Sequence, residues 1–106
     1  MQAKPQLVLT TCPDQETAQD IAWQLVDLQL AACVNIIPAI ESVYRWQDKI
    51  ESETEYLLII KTQSDCYTEL ENTIQALHPY ELPEVVAVSI EAGLPAYLDW
   101  INNNTK

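Results

Sequence analysis

The residues best suited to metal chemistry in this chain are its single histidine, one of its three cysteines and a nearby glutamate. His78 opens the run His-Pro-Tyr-Glu-Leu-Pro, in which Glu81 follows three residues later, and Cys33 lies in the run Ala-Ala-Cys-Val-Asn. Imidazole, thiolate and carboxylate are ordinary ligands for a divalent ion such as Cu²⁺ or Zn²⁺. These residue types indicate a divalent-cation site with Cys33, His78 and Glu81 as candidate ligands.

Each candidate ligand also has a structural interpretation. Pro79 favours the end of a helix at His78, where a positively charged imidazole is stabilised by the helix dipole. Cys33 in an apolar run is typical of a small buried hydrophobic residue. Cys12 and Cys66 are expected to be inert reduced thiols, because three widely spaced cysteines fit neither a disulfide framework nor a paired CxxC zinc site. The spacing leaves metal ligation and a structural role both open.

A second group of side chains predicts a polar and aromatic pocket. Tyr44 and Trp46 alternate on one predicted strand, Lys61 lies on the next strand, and Tyr80 precedes Glu81. Such residues can hold a small anion or another small ligand, and they are equally typical of a subunit interface. Tyr44, Trp46, Lys61 and Tyr80 are therefore the candidate ligand-binding residues.

Catalytic motifs are missing from the sequence. Gly93 is the only glycine, so a glycine-rich phosphate loop is excluded. Nothing in the spacing brings His78 next to a cysteine as the base beside a nucleophile. We therefore predict a binding protein that is not an enzyme and that has no organic cofactor.

The charge balance restricts the partners. Sixteen acidic residues against five basic ones give a formal net charge of −11. A chain without a basic patch is a poor partner for nucleic acid or an anionic membrane, whereas an acidic surface keeps a protein soluble and concentrates cations. The first six residues lack the apolar segment of a signal peptide, and no apolar run is long enough to span a membrane. These features predict a cytoplasmic protein.

Hydrophobic patterning predicts one α+β domain over residues 1–106, with the order βαββαβ of a ferredoxin-like antiparallel sheet, helices on one face and an extra C-terminal helix. Asp14 and Ser64 are the expected helix caps, and Pro38 is expected to kink the second strand. The predicted strands are 6–12, 31–37 continuing as 40–47, 52–62 after a turn at 48–49, and 84–92; the predicted helices are 15–30, 64–78 and one beginning at Pro95.

Two helical faces are assigned from spacing in the first helix. The core stripe consists of Ala18, Ile21, Ala22, Leu25 and Leu28. Trp23, Val26 and Leu30 fall on a second face, where Trp23 is either partly exposed or covered by a neighbouring loop or subunit. In the terminal helix, Leu94, Leu98 and Ile101 form the apolar stripe.

The predicted hairpin is longer than a domain of this size needs, and the sheet has one face without helices to cover it. Apolar residues on that face and the aromatic residues near the hairpin tip require another surface to pack on. We therefore predict self-association through the hairpin and the uncovered face.

Four segments, taken in this order and spacing, resemble the CutA divalent-cation tolerance family over most of the chain. They are Ala-Ala-Cys-Val-Asn-Ile from residue 31, Ser-Val-Tyr-Arg-Trp from residue 42, Leu-Leu-Ile-Ile-Lys-Thr from residue 57 and His-Pro-Tyr-Glu-Leu-Pro-Glu from residue 78. The resemblance implies a tight homotrimer, similar in architecture to the PII signalling proteins, that binds or responds to divalent ions, copper above all. The alternative is a PII-like trimer that binds a small ligand and has no direct metal role.

The resemblance also assigns residues. The cysteine, hairpin tryptophan and strand lysine of the family correspond to Cys33, Trp46 and Lys61, and its His-Pro-Tyr-Glu loop corresponds to residues 78–81. The family implies that these residues meet in clefts between subunits. At Asp48 the family usually has glycine, so the geometry of the hairpin turn is expected to differ there.

Overall fold

The computed structural model describes residues 3–106, so Met1 and Gln2 of the predicted domain and N-terminal segment lie outside the described residues. All four strands are antiparallel and lie in the order β2-β3-β1-β4, which confirms the predicted α+β class and the split βαβ order. The strands are β1 (Pro5–Cys12), β2 (Cys33–Trp46), β3 (Lys49–Gln63) and β4 (Val86–Ser89), and the helices are α1 (Gln15–Asp27), α2 (Tyr67–Leu77) and α3 (Pro95–Asn103).

The hydrophobic core lies between one face of the sheet and helices α1 and α2. As predicted, Asp14 caps α1, because its carboxylate accepts a hydrogen bond of 2.8 Å from the backbone N–H of Thr17. Helical spacing then turns one stripe of each helix toward the sheet, and alternation along the strands supplies the opposite wall. The residues of this core are Val8, Cys12, Ala18, Ile21, Leu25, Leu30, Ala31, Leu58, Ile60, Cys66, Leu70 and Ile74.

Helix α1 ends earlier than predicted, and two assignments were wrong as a result. The helix stops at Asp27, and Gln29 adopts a left-handed conformation with φ of 59°. This turn redirects the chain, so Leu28 leaves the predicted core stripe and is exposed, while Leu30 enters the core and is fully buried. Trp23 is strongly exposed in the isolated chain.

The predicted kink at Pro38 is a β-bulge within one continuous strand. The pairing of β2 with β3 shifts register between Ile37 and Ile40, and Ala39 has a positive φ of 58°. A proline without an N–H fits at such a bulge because it removes no ladder hydrogen bond. The structure therefore joins the two predicted halves of the strand.

Beyond the bulge, the hairpin leaves the sheet, as the sequence predicts. The pairing of β1 with β3 ends at Cys12 opposite Tyr56, so residues 40–55 form a two-stranded ribbon. The turn lies one residue earlier than predicted, with Gln47 and Asp48 both at positive φ and Trp46 paired to Lys49. Two residues at positive φ are typical of a type I′ turn, which matches the twist of the strands.

Three further details differ from prediction. Ser64 is not the cap; Gln63 accepts a hydrogen bond from the N–H of Asp65 and begins a 3₁₀ turn that leads into α2. The last strand spans only Val86–Ser89, because the residues on either side of it, 84–85 and 90–92, are not paired with β1 in the ladder. In α3, Ile101 is buried as predicted, but Leu94 is 72% exposed because it lies at the helix N-cap, outside the stripe.

The face of the sheet opposite α1 and α2 is called the open face here. Strand alternation places these residues on it: Leu7, Leu9, Cys33, Ile37, Leu57, Ile59, Lys61, Val86 and Val88. The expectation that all helices share one face was wrong for α3, because the Tyr97 ring lies 5.9 Å from Lys61 Nζ at one corner of the open face. No helix within residues 3–106 is long and apolar enough to cross a membrane.

Candidate functional site

A cavity lies where the hairpin ribbon leaves the sheet, and we call it the hairpin cleft. Its volume is about 590 Å³, and its wall combines one side of the ribbon from Glu55 to Trp46, the end of β1 and the loop after α2. The predicted ligand-binding residues Tyr44, Trp46 and Tyr80 come together in it, with the predicted metal ligand Glu81. The complete lining is Thr11, Ser42, Val43, Tyr44, Trp46, Glu55, Tyr80, Glu81, Leu82 and Glu84.

His78 anchors the loop that forms one wall of the cleft. Its Nε2 lies 2.7 Å from the carbonyl oxygen of Thr11, and since a carbonyl only accepts, Nε2 donates this bond. Its Nδ1 accepts a hydrogen bond of 3.1 Å from the N–H of Tyr80. Both ring nitrogens of this buried histidine are therefore engaged within the chain, and they hold the loop against β1.

Tyr80 connects this loop to the ribbon. Its hydroxyl donates a hydrogen bond of 2.7 Å to Oε2 of Glu55, a carboxylate that is only 6% exposed. Burial of the phenol raises the pKa of Tyr80 well above its usual range, and the hydrogen bond to Glu55 raises it further. The phenol therefore stays protonated as the donor that this buried carboxylate requires.

The lining of the cleft is rich in acidic residues. None of its described lining residues is basic, and three of them are glutamates. Glu51 and Glu53 alternate with Glu55 on the same side of β3. Loss of hydration raises the pKa of Tyr44, and the nearby charges of Glu53, Glu51 and Glu55 raise it further. The cleft is therefore a region of negative potential lined with aromatic rings.

Cys33 and Lys61 lie elsewhere on the open face. They are paired across β2 and β3, and Lys61 is six residues from Glu55 along β3, which corresponds to about 20 Å. Within one chain the structure does not bring Lys61 to the cleft, nor Cys33 to Glu81. Among residues 3–106 no group of three His, Cys, Asp or Glu side chains is close enough to hold a metal ion. The metal site of Cys33, His78 and Glu81 stays a prediction.

Sequence reasoning missed Glu55 and Glu84 as cleft residues. Glu55 precedes the apolar centre of β3, and alternation places it on the same side as Leu57, pointing to the open face. That signal was available in the sequence. Glu84 reaches the cleft only because the loop anchored by His78 folds back toward the ribbon, and nothing local to the sequence specifies this.

Comparison with known proteins gives consistent results at the levels of family, sequence and fold. The family model of the CutA1 divalent ion tolerance protein matches residues 6–104. The divalent-cation tolerance protein CutA of Thermus thermophilus is 46% identical over 100 residues, which cover 94% of this chain and 97% of that protein. The mouse protein CutA is 46% identical over 96 residues, covering 91% of this chain but only 54% of the mouse protein.

Solved structures match in the same way. The structure of the Thermus thermophilus protein superimposes with a TM-score of 0.95 at 45% identity, covering 96% of this chain and 99% of that one. A structure described as the periplasmic divalent cation tolerance protein CutA of Archaeoglobus fulgidus gives a TM-score of 0.93 at 40% identity, with coverage of 96% and 99%. Because that relative is described as periplasmic, the cytoplasmic location of this chain stays a prediction.

Proposed function

The chain belongs to the CutA1 divalent ion tolerance protein family, and from this membership we propose that it is a homotrimer that binds a divalent metal ion such as Cu²⁺. One observation in the structure supports the assembly, namely the apolar open face. Val86, Val88 and Ile37 are each between a third and a half exposed there, on a sheet face that α3 covers only at one corner. Contiguous apolar surface of this kind is typical of subunit interfaces.

Assembly around the open face would also complete the metal site. Cys33 lies on that face, and Glu81 lies in the hairpin cleft at its margin. Since these residues are apart within one chain, the proposal takes them from neighbouring copies. His78 can contribute a nitrogen only by giving up the hydrogen bond to Thr11 or to the N–H of Tyr80, so metal binding through His78 competes with anchoring of the loop.

The oligomeric state is tested by light scattering with a matched pair of valine variants. Val88 on the open face is 48% exposed, and Val26 on α1, beside β2 on the opposite side of the sheet, is 43% exposed. We expect a particle of three 12.0 kDa chains for the wild type and for Val26→Lys, and a smaller particle for Val88→Lys, because a lysine in an apolar interface is costly. A stable 12.0 kDa wild-type particle would refute the trimer.

Copper binding is tested by calorimetric titration of the native assembly. Cys33→Ser and Glu81→Gln each remove one proposed ligand while conserving size, and His78→Gln removes the imidazole but retains an amide that can still donate to Thr11. We expect at least a tenfold loss of affinity in Cys33→Ser and Glu81→Gln, because even the loss of a residue that only supports a metal ligand typically costs about tenfold or more. Unchanged binding in all three variants would eliminate this ligand set.

A second function is favoured by the hairpin cleft itself. A cavity of about 590 Å³ that is lined by Tyr44, Trp46 and Tyr80 has the size and aromatic character of a small-molecule site. This supports a PII-like trimer whose cleft holds a small ligand without a direct metal role. A ligand that raises the melting temperature in the presence of a chelator, and fails to do so in Tyr44→Leu, would support this function over the first.

A further inference from the structure

We propose that Tyr80 is a latch on the metal-binding atom of His78. The metal ion binds at Nδ1, the N–H of Tyr80 occupies that atom while the loop after α2 is closed, and the loop opens before the ion can bind. We call residues 79–85, between α2 and β4, the latch loop. The proposal rests on the first function above, and it adds which atom binds the ion and what controls access to that atom.

The two ring nitrogens of His78 are not equivalent. Nε2 donates to the carbonyl oxygen of Thr11 at 2.7 Å, and a histidine that binds a metal through one nitrogen normally donates from the other to such an oxygen. That bond can therefore persist when an ion is bound. Nδ1 carries the lone pair that a metal requires, and it accepts the N–H of Tyr80 at 3.1 Å. Nδ1 is thus the ligand atom once Tyr80 has moved away.

Few bonds hold the latch loop in place. Within residues 3–106 it makes no backbone–backbone hydrogen bond, and the two hydrogen bonds that it does make both come from Tyr80. Leu82 is 76% exposed, and two of the seven loop residues are prolines, which have no N–H to donate. The far end of the loop is fixed, because Val85 packs against the core. Segments with so few hydrogen bonds open at low free energy, so the loop can open while its ends stay in place.

Glu55 controls the latch although it is not a proposed ligand. The hydroxyl of Tyr80 donates to Glu55 at 2.7 Å, so one residue joins the loop both to the ribbon and to the imidazole of His78. Loss of the hydroxyl bond makes opening easier, and a larger open fraction raises the apparent affinity for the ion. Removing this bond should therefore strengthen metal binding, whereas removing a ligand weakens it. Each of these bonds joins residues of one chain, so none of them depends on a neighbouring copy.

Tyr67 provides a matched control for Tyr80. Its hydroxyl also donates to a glutamate at 2.7 Å, in this case to Oε2 of Glu71 one turn further along α2. That bond joins two residues of one helix and does not involve the latch loop. Tyr67→Phe and Tyr80→Phe therefore remove the same kind of hydrogen bond, but only the second variant loosens the latch.

The first test is calorimetric titration of the native assembly with Cu²⁺. We expect Tyr80→Phe to bind copper about tenfold more tightly than the wild type, because the lost bond stabilises the closed loop alone. Tyr67→Phe should bind copper like the wild type. In a His78→Gln background, Tyr80→Phe should give no gain in affinity, because the nitrogen that the latch covers is absent.

The second test identifies the binding atom by nitrogen-15 NMR of the imidazole, with Zn²⁺ as a diamagnetic divalent ion. His78 is the only histidine, so the two ring signals belong to one residue. We expect the proton to stay on Nε2, where it donates to Thr11, and the signal of Nδ1 to shift when Zn²⁺ is added. Ring signals that do not respond to Zn²⁺, or a proton on Nδ1 of the zinc-bound protein, would overturn the assignment.

The copper titration separates failure of the latch from failure of the first function. Copper binding in Tyr80→Phe that is equal to or weaker than in the wild type would overturn the latch, as would an equal gain in Tyr67→Phe or a gain that persists in the His78→Gln background. Full binding in His78→Gln would overturn only the latch, because copper would then bind elsewhere. If neither the wild type nor Tyr80→Phe binds copper, the first function fails and the latch fails with it.

Discussion

Replacing Tyr80 by phenylalanine tests whether the loop after α2 is held to the hairpin by one hydrogen bond. The change removes only the hydroxyl that donates to Glu55 at 2.7 Å. Because Glu55 is 6% exposed, its carboxylate cannot regain full hydration when that donor is lost. The variant therefore measures both the lost bond and the cost of a buried carboxylate with no donor.

The expected loss of stability follows from the geometry. A short hydrogen bond to a charged acceptor contributes about 1.5–3 kcal/mol, so we expect Tyr80→Phe to lower the free energy of unfolding by about 2 kcal/mol. In Glu55→Gln the acceptor is neutral, and the same tyrosine change should then cost about 1 kcal/mol. The resulting coupling energy between the two residues is about 1 kcal/mol.

Urea unfolding at a fixed protein concentration provides the measurement, with all four proteins of the double-mutant cycle compared. Tyr97→Phe is the control, since the hydroxyl of Tyr97 has no hydrogen bond within residues 3–106, and its loss should stay within about 0.5 kcal/mol. Equal stability of Tyr80→Phe and the wild type, or no coupling to Glu55, would show that the observed bond does not hold the loop.

The same pair gives a pH dependence with a definite sign. The pKa of Tyr80 is raised in the folded protein above its ordinary value of 10.0, so the folded state binds its proton more tightly than the unfolded state. Its contribution is complete below pH 10.0 and is lost as the pH rises further. The wild type should therefore lose more stability than Tyr80→Phe above pH 10.0. If the free energies of unfolding of the two proteins fell in parallel with pH, this account would be contradicted.

Three further changes have defined outcomes. Asp14→Ala should destabilise α1 at neutral pH. Because the hydrogen bond from the N–H of Thr17 lowers the pKa of Asp14, the difference in stability between the wild type and the variant should fade as the pH falls below 3.8. Circular dichroism at several pH values measures this difference, and a difference that does not change with pH would refute the assignment of Asp14 as the cap. Ile74→Ala should lower the free energy of unfolding in urea by about 2–5 kcal/mol, whereas Leu94→Ala, at an exposed site, should lower it by less than about 0.5 kcal/mol. Similar losses of stability in the two variants would contradict the observed core. Replacing Gln47-Asp48 by Asn-Gly should raise stability by about 1 kcal/mol, since both residues have positive φ, and a lower melting temperature would argue against the type I′ turn.

Local patterns predicted the elements well where one physical signal dominated. The cap at Asp14 was correct because a short carboxylate before a helical stripe has few competing roles. The end of α2 at His78 was correct because Pro79 excludes helical geometry in the residue before it. The predicted cap at Ser64 was wrong because the side chain of Gln63 accepts the hydrogen bond from the N–H of Asp65. The hydroxyl of Ser64 instead accepts a hydrogen bond from the N–H of Lys4, sixty residues away in the chain.

The sequence predicted part of the lining of the hairpin cleft. Alternation along β2 correctly grouped Tyr44 with Trp46, and the order of the loop placed Tyr80 beside Glu81. Grouping Lys61 with them was not supported within one chain, because strand length separates it from the cleft. Distances along an element follow from the sequence, whereas distances between elements depend on how those elements pack.

The sequence by itself determined the element order, the apolar core stripe of α1 up to Leu25, the long hairpin and the acidic surface, because these depend on hydrophobic period, proline and charge. Only the tertiary structure decided that Leu30 enters the core and that both ring nitrogens of His78 form hydrogen bonds, one with the carbonyl oxygen of Thr11 and one with the N–H of Tyr80. It also decided that Glu55 is buried against a tyrosine from a distant loop. These outcomes require segments far apart in the chain to meet, and the hydrogen bonds that form there depend on contacts that no local pattern encodes.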